Sequence, residues 1–199
     1  MGRKSVKAPR QKEIVKAFYK LAKKEGLENA SIAKTAKLID IQPSLIIHYF
    51  KSKEQLVYAL VDYILEKYQL IYKVRKTSGE SNLEVLISTI NSLFSTKWNA
   101  LFDDSVSYSC YALSFRNKVI RGKFKDLVDI LRSELEELIR ACVLDGSLKV
   151  KGVEEIVDMI YILVDGGYYY LSLADDKHEF EYRLDRYKKR AFRLLGIEN

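Results

Sequence analysis

The stretch IIHYFKSKEQL (residues 46–56) sets apolar and aromatic residues directly against a short basic-acidic run. Ser52 is a residue type that caps helix N-termini, and Gln55 three positions later completes a capping-box pattern. IIHYF therefore ends one helix and SKEQL begins another. Ile46 and Phe50 lie one turn apart and are predicted to face inward. That orientation leaves the outer face of the first helix to Ser44, Leu45, His48 and Tyr49.

Two further helices are predicted before this one, and they complete a helix-turn-helix. A helix over about residues 10–25 carries apolar residues at spacings of three and four, and a short helix follows over about 31–38. Pro43 suits the first turn of a helix over 43–50, where no backbone N–H is needed. Two short helices joined by a tight turn are the arrangement that places the second helix in the DNA major groove. The opening RKSVKAPR (residues 3–10) is predicted to be a flexible basic arm.

The rest of the chain predicts further helices and no strands. A long fourth helix is expected over about 53–75, before the linker KTSGESN. Five more are predicted over about 82–97, 103–116, 120–145, 153–175 and 179–195. With 9 Gly and 2 Pro in 199 residues, these segments are seldom interrupted. The predicted fold is all-α: an N-terminal helix-turn-helix head (1–52) joined by the fourth helix to a C-terminal helical body for ligand binding and dimerisation (53–199).

The positive charge of the chain is concentrated at its start. Residues 1–60 contain 13 Lys and Arg against 5 Asp and Glu, whereas residues 61–199 contain 21 against 22. The first segment therefore carries a net charge of +8 and the second −1. This asymmetry is typical of a head that binds a polyanion such as nucleic acid. From charge alone, a basic solvated surface explains it equally well.

Several other functions find no support in the sequence. The chain has two well-separated cysteines and two histidines, so no metal site is predicted and no cofactor is expected. Nucleophile-elbow, phosphate-loop, dinucleotide and zinc-protease motifs are lacking, which argues against an enzyme. The N-terminus has no apolar signal segment, and Asp158 and Asp165 interrupt the longest apolar run. A cytoplasmic protein with no membrane span is expected.

The last two predicted helices indicate self-association. EEIVDMIYILVDGGYYYLSLA (residues 154–174) is apolar on nearly all sides and must be covered on more than one. The helix that follows has only a narrow apolar stripe. Because one chain would hardly cover both, the pair (about 153–195) is predicted to meet its symmetry mate in a homodimer.

Together these features resemble the TetR family of bacterial transcriptional regulators. The strongest piece is FKSKEQL (residues 50–56), which is similar to the family's F-x-S-K-x-x-L. The resemblance in sequence covers about the first 60 residues, and VDGGYYY (164–170) is similar to a small-residue patch in the family's penultimate helix. Asp40 stands where the family usually has Gly, and Ile47 where Tyr is common. Ser31 replaces the usual Thr.

The resemblance implies DNA contacts from three helices. Ser31 and Lys34 would contact phosphates from the second helix. Lys53 would reach a phosphate at the start of the fourth helix, where the helix dipole favours an anion. His48 and Tyr49 would reach the DNA backbone or a base. The residues nearest the base edges would be Gln42, Pro43, Ser44 and Leu45.

The resemblance also implies a small-molecule cavity in the body. Aromatic rings with a few phenolic hydroxyls suit a hydrophobic or aromatic ligand, although each ring taken singly is more simply explained as ordinary core. Asp165, in an apolar run, needs a partner, whether a cationic ligand, Arg116, a tyrosine or the dimer mate. Cys110 is interpreted as a core residue rather than a sensor. The candidate ligand-binding residues are Trp98, Phe102, Tyr108, Tyr111, Phe115, Tyr161, Asp165 and Tyr169.

The predicted function is therefore a homodimeric transcription regulator that binds double-stranded DNA. The favoured mode is a repressor that a small effector releases from a palindromic operator. The effector would bind a body conformation in which the distance between the two heads does not fit the two half-sites. The alternative is a DNA-bound dimer whose body docks a protein partner and holds no small molecule. A closed, well-packed body would favour that alternative.

Overall fold

The computed structural model of the chain describes residues 7–72, 79–96 and 103–197. These residues form α-helices and turns, with no strand among them, which confirms the predicted all-α fold. Each helix in the described ranges is too short or too polar to span a membrane. The helices are α1 (Lys7–Glu25), α2 (Ile32–Leu38), α3 (Pro43–Phe50), α4 (Lys53–Tyr72), α5 (Asn82–Leu93), α6 (Asp104–Leu113), α7 (Lys118–Leu144), α8 (Val153–Leu171) and α9 (Lys177–Leu194).

Some helix ends differ from the predicted ones. Residues 7–10, predicted as part of a flexible arm, belong to α1, because Pro9 lies in the first turn, where proline costs no hydrogen bond. α5 ends at Leu93 rather than near residue 97, which lies outside the described residues. α8 ends at Leu171 rather than near residue 175. The acidic residues that follow are disfavoured at a helix C-terminus, and Asp176 instead caps the start of α9.

The described residues form two compact units. Those of 1–67 and 102–125 make up the first unit, and those of 68–101 and 126–199 make up the second. α6 and the first turns of α7 thus belong to the compact unit that contains the helix-turn-helix. The division into a head and a body at residue 52 remains a prediction.

The first unit has a core to which α1, α2, α3 and α4 all contribute. Ile14 and Phe18 of α1, Ala36 of α2, Ile46 of α3 and Leu56 of α4 are all 0% exposed. Large apolar side chains from α1 therefore fill the space behind the helix-turn-helix. Burying one side chain of this size contributes about 1.5–3 kcal/mol to the free energy of unfolding. These shared contacts hold α2 and α3 at a fixed angle to α1.

The turn between α2 and α3 is a Schellman motif with an aspartate in the position that glycine usually occupies. The Ile41 N–H donates to the Ala36 carbonyl (3.0 Å), and the Asp40 N–H donates to the Lys37 carbonyl (3.5 Å). Asp40 has a φ of +51°. In this left-handed region a side chain costs about 1–2 kcal/mol, with Asp and Asn the best tolerated.

Replacing Asp40 by glycine is expected to stabilise the first unit. Glycine relieves the left-handed strain but gives the unfolded chain more freedom, so we expect a net gain of about 0.5 kcal/mol in the free energy of unfolding. Asp40→Ala keeps the strain and loses the polar side chain, and should lower the same free energy by about 1 kcal/mol. Chemical denaturation of both variants beside the wild type measures these changes. A destabilised Asp40→Gly variant would show that the aspartate side chain itself supports the turn.

α6 is fastened to α1 through one residue at its N-terminus. The Asp103 carboxylate caps α6 by accepting the Val106 N–H (3.3 Å) and pairs with Lys23 of α1 (3.4 Å). The Asp103 N–H donates to the Tyr19 hydroxyl of α1 (3.0 Å). Burial raises the pKa of the Asp103 carboxyl, but hydrogen bonds and the charge of Lys23 outweigh burial and lower it overall. The start of α6 is therefore coupled directly to α1.

The turn between α6 and α7 is built on Asn117. α6 ends at Leu113 rather than near residue 116. The Asn117 amide oxygen accepts the N–H groups of Val119 and Ile120 (3.0 and 3.1 Å) at the start of α7. Its amide nitrogen donates to the Tyr58 hydroxyl of α4 (2.9 Å). One side chain thus caps a helix and ties the turn to α4.

The second unit packs α5, α8, α9 and the later turns of α7. Ile90, Ile160 and Phe192 are no more than 1% exposed. At Gly167 of α8, an added Cβ would lie 3.0 Å from the Cδ2 atom of Tyr187 in α9. Glycine therefore permits the close approach of these two helices.

α8 is apolar on two faces, as the sequence predicts, and the residues that the structure describes cover only one of them. The covered face includes Val157, Ile160 and Val164, each no more than 3% exposed. On the other face, apolar residues repeat at spacings of three and four, and four of them are 46–68% exposed. We call this face the α8 stripe; it consists of Met159, Ile162, Gly166 and Tyr169 of α8 and of Leu173 in the turn that follows. A contiguous apolar patch of this kind marks an interaction surface.

Candidate nucleic-acid interface

Two buried side chains anchor α3 and turn its opposite face to solvent. Ile46 is 0% exposed and Phe50 6%, which confirms the predicted inward pair. Gln42 precedes the helix without using its side chain as a cap, and Pro43 occupies the first turn. The side-chain amide of Gln42 is thus available for other partners. On the outer face, Gln42, Pro43, Ser44 and His48 are exposed, and Leu45 and Tyr49 are half-buried.

The two rings at the end of α3 contact each other. The centroids of His48 and Tyr49 lie 5.3 Å apart with an angle of 80° between the rings, an edge-to-face contact. This contact and its partial burial restrict the Tyr49 side chain, so less conformational entropy is lost when its hydroxyl meets a partner. A hydroxyl held at this surface can donate to a phosphate oxygen.

The three predicted phosphate contacts outside α3 all have partners within the chain. The Ser31 hydroxyl caps α2 by accepting the Lys34 N–H (3.2 Å). The Lys34 ammonium lies 2.6 Å from a Glu25 carboxylate oxygen and 3.2 Å from the Asn29 carbonyl. The Lys53 ammonium donates to the Glu28 carbonyl (3.0 Å). These side chains surround the loop between α1 and α2.

Two exposed lysines that sequence reasoning did not select lie on the same helix-turn-helix. Lys37 is in the last turn of α2, and Lys51 lies between α3 and α4. Neither makes an ion pair with any residue that the structure describes. Lys51 has a φ of +55°, which turns the chain sharply between the two helices. The charge excess of the first 60 residues was the only signal for them in the sequence.

α4 starts with the predicted serine cap. The Gln55 N–H donates to the Ser52 hydroxyl (3.2 Å), and Leu56 is fully buried. The cap fixes where α3 gives way to α4, and so sets the position of the two helix ends that flank Lys51.

The predicted ligand-binding residues fall in different parts of the chain. Trp98 and Phe102 lie outside the described residues. Tyr108, Tyr111 and Phe115 belong to the first unit and are 38%, 47% and 68% exposed. The Tyr111 ring makes edge contacts with the rings of Phe115 (5.5 Å) and Phe124 (5.4 Å). These rings form an aromatic cluster at the surface of that unit.

Tyr161, Asp165 and Tyr169 lie on α8 in the second unit. Tyr161 is buried, and the Arg132 guanidinium lies 5.2 Å from its ring centroid. Burial raises the pKa of its phenol above the usual range. Asp165, expected to be buried, is exposed in the single chain, because it lies on the uncovered side of α8. Tyr169 belongs to the α8 stripe.

A groove of about 530 Å³ runs along α5 in the second unit. None of the predicted ligand-binding residues is among the described residues that line it, which are Glu84, Ile87, Ser88, Asn91, Ser92 and Ser95. Five of these six residues are polar, but most of the surface that they present to the groove is apolar. The Ser95 hydroxyl oxygen is buried and has no hydrogen-bond partner in the described part of the chain. A polar ligand could satisfy it.

Neither cysteine is available for chemistry at the surface. Cys110 and Cys142 are both 0% exposed. Burial raises the pKa of the Cys110 thiol to about 12, so it stays protonated at neutral pH. Cys110 is therefore the small core residue that the sequence favours. Among the described residues, no group of His, Cys, Asp or Glu side chains converges to hold a metal ion.

Two segments of the sequence match known protein families. Residues 14–60 match the family described as bacterial regulatory proteins, tetR family. Residues 81–197 match the family described as tetracyclin repressor-like, C-terminal domain. The first segment spans most of the helix-turn-helix unit, and the second spans α5 to α9. No curated protein matches the chain.

Solved structures share the fold. The chain is similar to a TetR transcription regulator from Haloarcula marismortui, with a TM-score of 0.81 at 17% identity, over 95% of this chain and 97% of that chain. It is also similar to GusR of Salmonella enterica (TM-score 0.68, 15% identity, 98% and 100% covered). A third similar structure is the reduced form of E. coli NemR (TM-score 0.74, 11% identity, 95% and 99% covered).

Proposed function

Because the chain belongs to the TetR family of transcriptional regulators, we propose that it is a homodimeric repressor whose palindromic operator is released when a small ligand binds the body. Regulators of this family bind DNA through the helix-turn-helix and are not enzymes. The outer face of α3 is the observation that carries the proposal. Its six predicted contact residues are exposed or half-buried on a helix that Ile46 and Phe50 anchor. The proposed place of action is the cytoplasm, where the operator lies.

The test is binding of the purified protein to the DNA upstream of its own gene, across a series of salt concentrations. Tight binding that weakens steeply with salt, with protection of two symmetric half-sites, is the expected result, because each neutralised phosphate releases a counterion. Binding that is weak and indifferent to sequence on this DNA and on a pool of genomic fragments would contradict the proposal.

Tyr49→Ala is expected to weaken operator binding about tenfold, the loss of one hydrogen bond to a charged phosphate. The side chain is half-buried at the end of α3, so its removal should leave the fold intact. Fluorescence anisotropy with the operator measures the affinity, and circular dichroism checks the helical content.

Tyr182→Ala is a matched control, since Tyr182 is a 64% exposed tyrosine on α9 in the second unit. Its operator affinity should equal that of the wild type. Equal affinities for all three proteins would remove Tyr49 from the DNA contacts.

The α8 stripe supports the homodimer. Four of its side chains are 46–68% exposed in the single chain, and apolar side chains that repeat at three and four residues are covered most simply by the same face of a second copy. Asp165 lies beside this stripe. Although the residue is exposed, groups around its carboxyl exclude part of the water and raise the pKa of that carboxyl, and the charge of Arg132 offsets part of this rise.

The proposed effector combines an apolar framework with polar substituents. The α5 groove supports both parts, because most of its lining surface is apolar and its hydroxyl and amide groups can bind polar substituents. The contacts of Asp103 with Tyr19 and Lys23 offer a route by which movement of α6 would shift α1. Thermal-shift screening followed by release of labelled operator tests this: an effector raises the melting temperature and lowers DNA affinity.

One observation favours the alternative, in which a protein partner docks on the body. Phe115 of the aromatic cluster and Val119 at the start of α7 are 68% and 55% exposed. A DNA-bound dimer that no small molecule stabilises, and that loses a partner on Phe115→Ser substitution, would support this alternative over the effector.

A further inference from the structure

Lys34, one of the proposed phosphate contacts, is held by a carboxylate of its own chain. Its ammonium lies 2.6 Å from a Glu25 carboxylate oxygen and 3.2 Å from the Asn29 carbonyl. Two of its three N–H donors are therefore used without DNA. Half of the Lys34 side chain (51%) is still exposed, and 33% of the Glu25 side chain. The pair thus lies at a surface that DNA can reach.

The carboxylate is not explained by the stability of its own helix. Glu25 is the last residue of α1, where the helix dipole disfavours a negative charge. The hydrogen bond from Lys34 offsets this and lowers the pKa of the Glu25 carboxyl, so the carboxyl is ionised at neutral pH. Lys34 is nine residues further along the chain, across the loop that leads to α2.

We propose that Glu25 is an internal competitor of DNA for Lys34 and limits the affinity of the head. The inference rests on the proposed function, in which Lys34 contacts a phosphate. While the pair is closed, it presents no net charge to the DNA backbone. The third N–H donor can reach a phosphate while the pair is closed, but for the full charge of Lys34 to neutralise that phosphate the pair must open, and the freed carboxylate must be screened by a cation from solution. Glu25 thereby lowers non-specific affinity, which comes from phosphate contacts, for every sequence alike.

Glu25→Gln is expected to raise the affinity for non-specific DNA about two- to fivefold, the strength of an exposed ion pair. It should also make the salt dependence steeper by up to about one counterion, because Lys34 then neutralises a phosphate with no cation taken up by the carboxylate. The probe is a fluorescein-labelled duplex of mixed sequence, titrated by anisotropy across a salt series.

Glu28→Gln is the matched control. It removes the same charge three residues away, and the Glu28 carboxylate forms no ion pair with the described residues, since Lys53 contacts the Glu28 backbone carbonyl instead. This variant measures the general gain in DNA affinity from removing one negative charge near the DNA. Lys34→Gln completes the set, alone and combined with Glu25→Gln. If Glu25 masks Lys34, removing the lysine costs little in the wild type and severalfold in the Glu25→Gln protein.

The outcomes separate cleanly. A larger gain in DNA affinity for Glu25→Gln than for Glu28→Gln supports the proposal that Glu25 competes with DNA, provided that Lys34→Gln costs more affinity in the Glu25→Gln protein than in the wild type. Equal gains for the two variants overturn it, as does a loss of affinity in Glu25→Gln, which would make Glu25 a residue that positions Lys34. A wild-type protein without salt-dependent DNA affinity would instead refute the proposed function.

Discussion

Ile162→Glu is expected to convert the protein from a dimer to a monomer and to lower operator affinity at least about 100-fold. Ile162 is 60% exposed in the single chain and lies in the middle of the α8 stripe. A carboxylate there meets water in the monomer but an apolar surface in the dimer, where an unpaired ion costs several kcal/mol. In a symmetric interface the substitution occurs twice. In a dimer, binding of one head to its half-site raises the effective concentration of the other head at the second half-site. Two separate monomers lose this gain, which is a factor of about 10²–10⁴ in affinity.

Light scattering coupled to size exclusion measures the mass of this variant, and anisotropy measures its operator affinity. Ile130→Glu is the control, because Ile130 is 48% exposed on α7 and lies outside the α8 stripe. It should remain a dimer and bind the operator as the wild type does. A dimeric Ile162→Glu protein beside a monomeric Ile130→Glu protein would move the interface from α8 to α7.

Phe18→Ala is expected to lower the free energy of unfolding of the first unit by about 3–5 kcal/mol, which is a large part of the total for a typical domain. The ring is 0% exposed in the core that α1 shares with the helix-turn-helix, so its removal leaves a cavity behind α2 and α3. DNA binding should be lost at temperatures at which the dimer persists, because the second unit has its own core. Urea denaturation followed by circular dichroism measures the stability, and sedimentation measures the dimer.

Phe192→Ala provides the reciprocal case. Phe192 is 1% exposed in the core of the second unit, and its loss should weaken that unit by a similar amount. In this variant the dimer should fail first. If the two variants unfold in the same single transition and lose both properties together, the two cores form one cooperative unit, contrary to this expectation.

The features that depend on neighbours in sequence could be predicted without a structure. The spacing of Ile46 and Phe50 sets the inner face of α3, and Ser52 with Gln55 marks the start of α4, because caps and helix faces need only residues within one or two turns. Pro43 marks the first turn of α3 in the same way. These local signals were sufficient for the helix-turn-helix and for the order of the helices.

The features that depend on distant residues could not be predicted in this way. Nothing in the spacing of Glu25 and Lys34 announces an ion pair, since it forms across the loop between α1 and α2. The C-terminus of α5 is set partly by Tyr168 of α8, whose hydroxyl donates to the carbonyls of Leu93 and Ser95 (2.9 and 3.1 Å). The exposure of Asp165 follows from the side of α8 that the rest of the chain covers.

Because both thiols are buried, the protein can be labelled at an introduced cysteine without removing its native ones. Cys110 and Cys142 are closed to solvent, and the sequence has no other cysteine. A cysteine introduced at exposed Ser44 would therefore be the one site per chain that a maleimide spin label reaches. In a dimer, the two labels would mark the two copies of α3. Pulsed electron resonance would then read the distance between the reading heads directly, with and without an effector, in a protein whose own thiols need no removal.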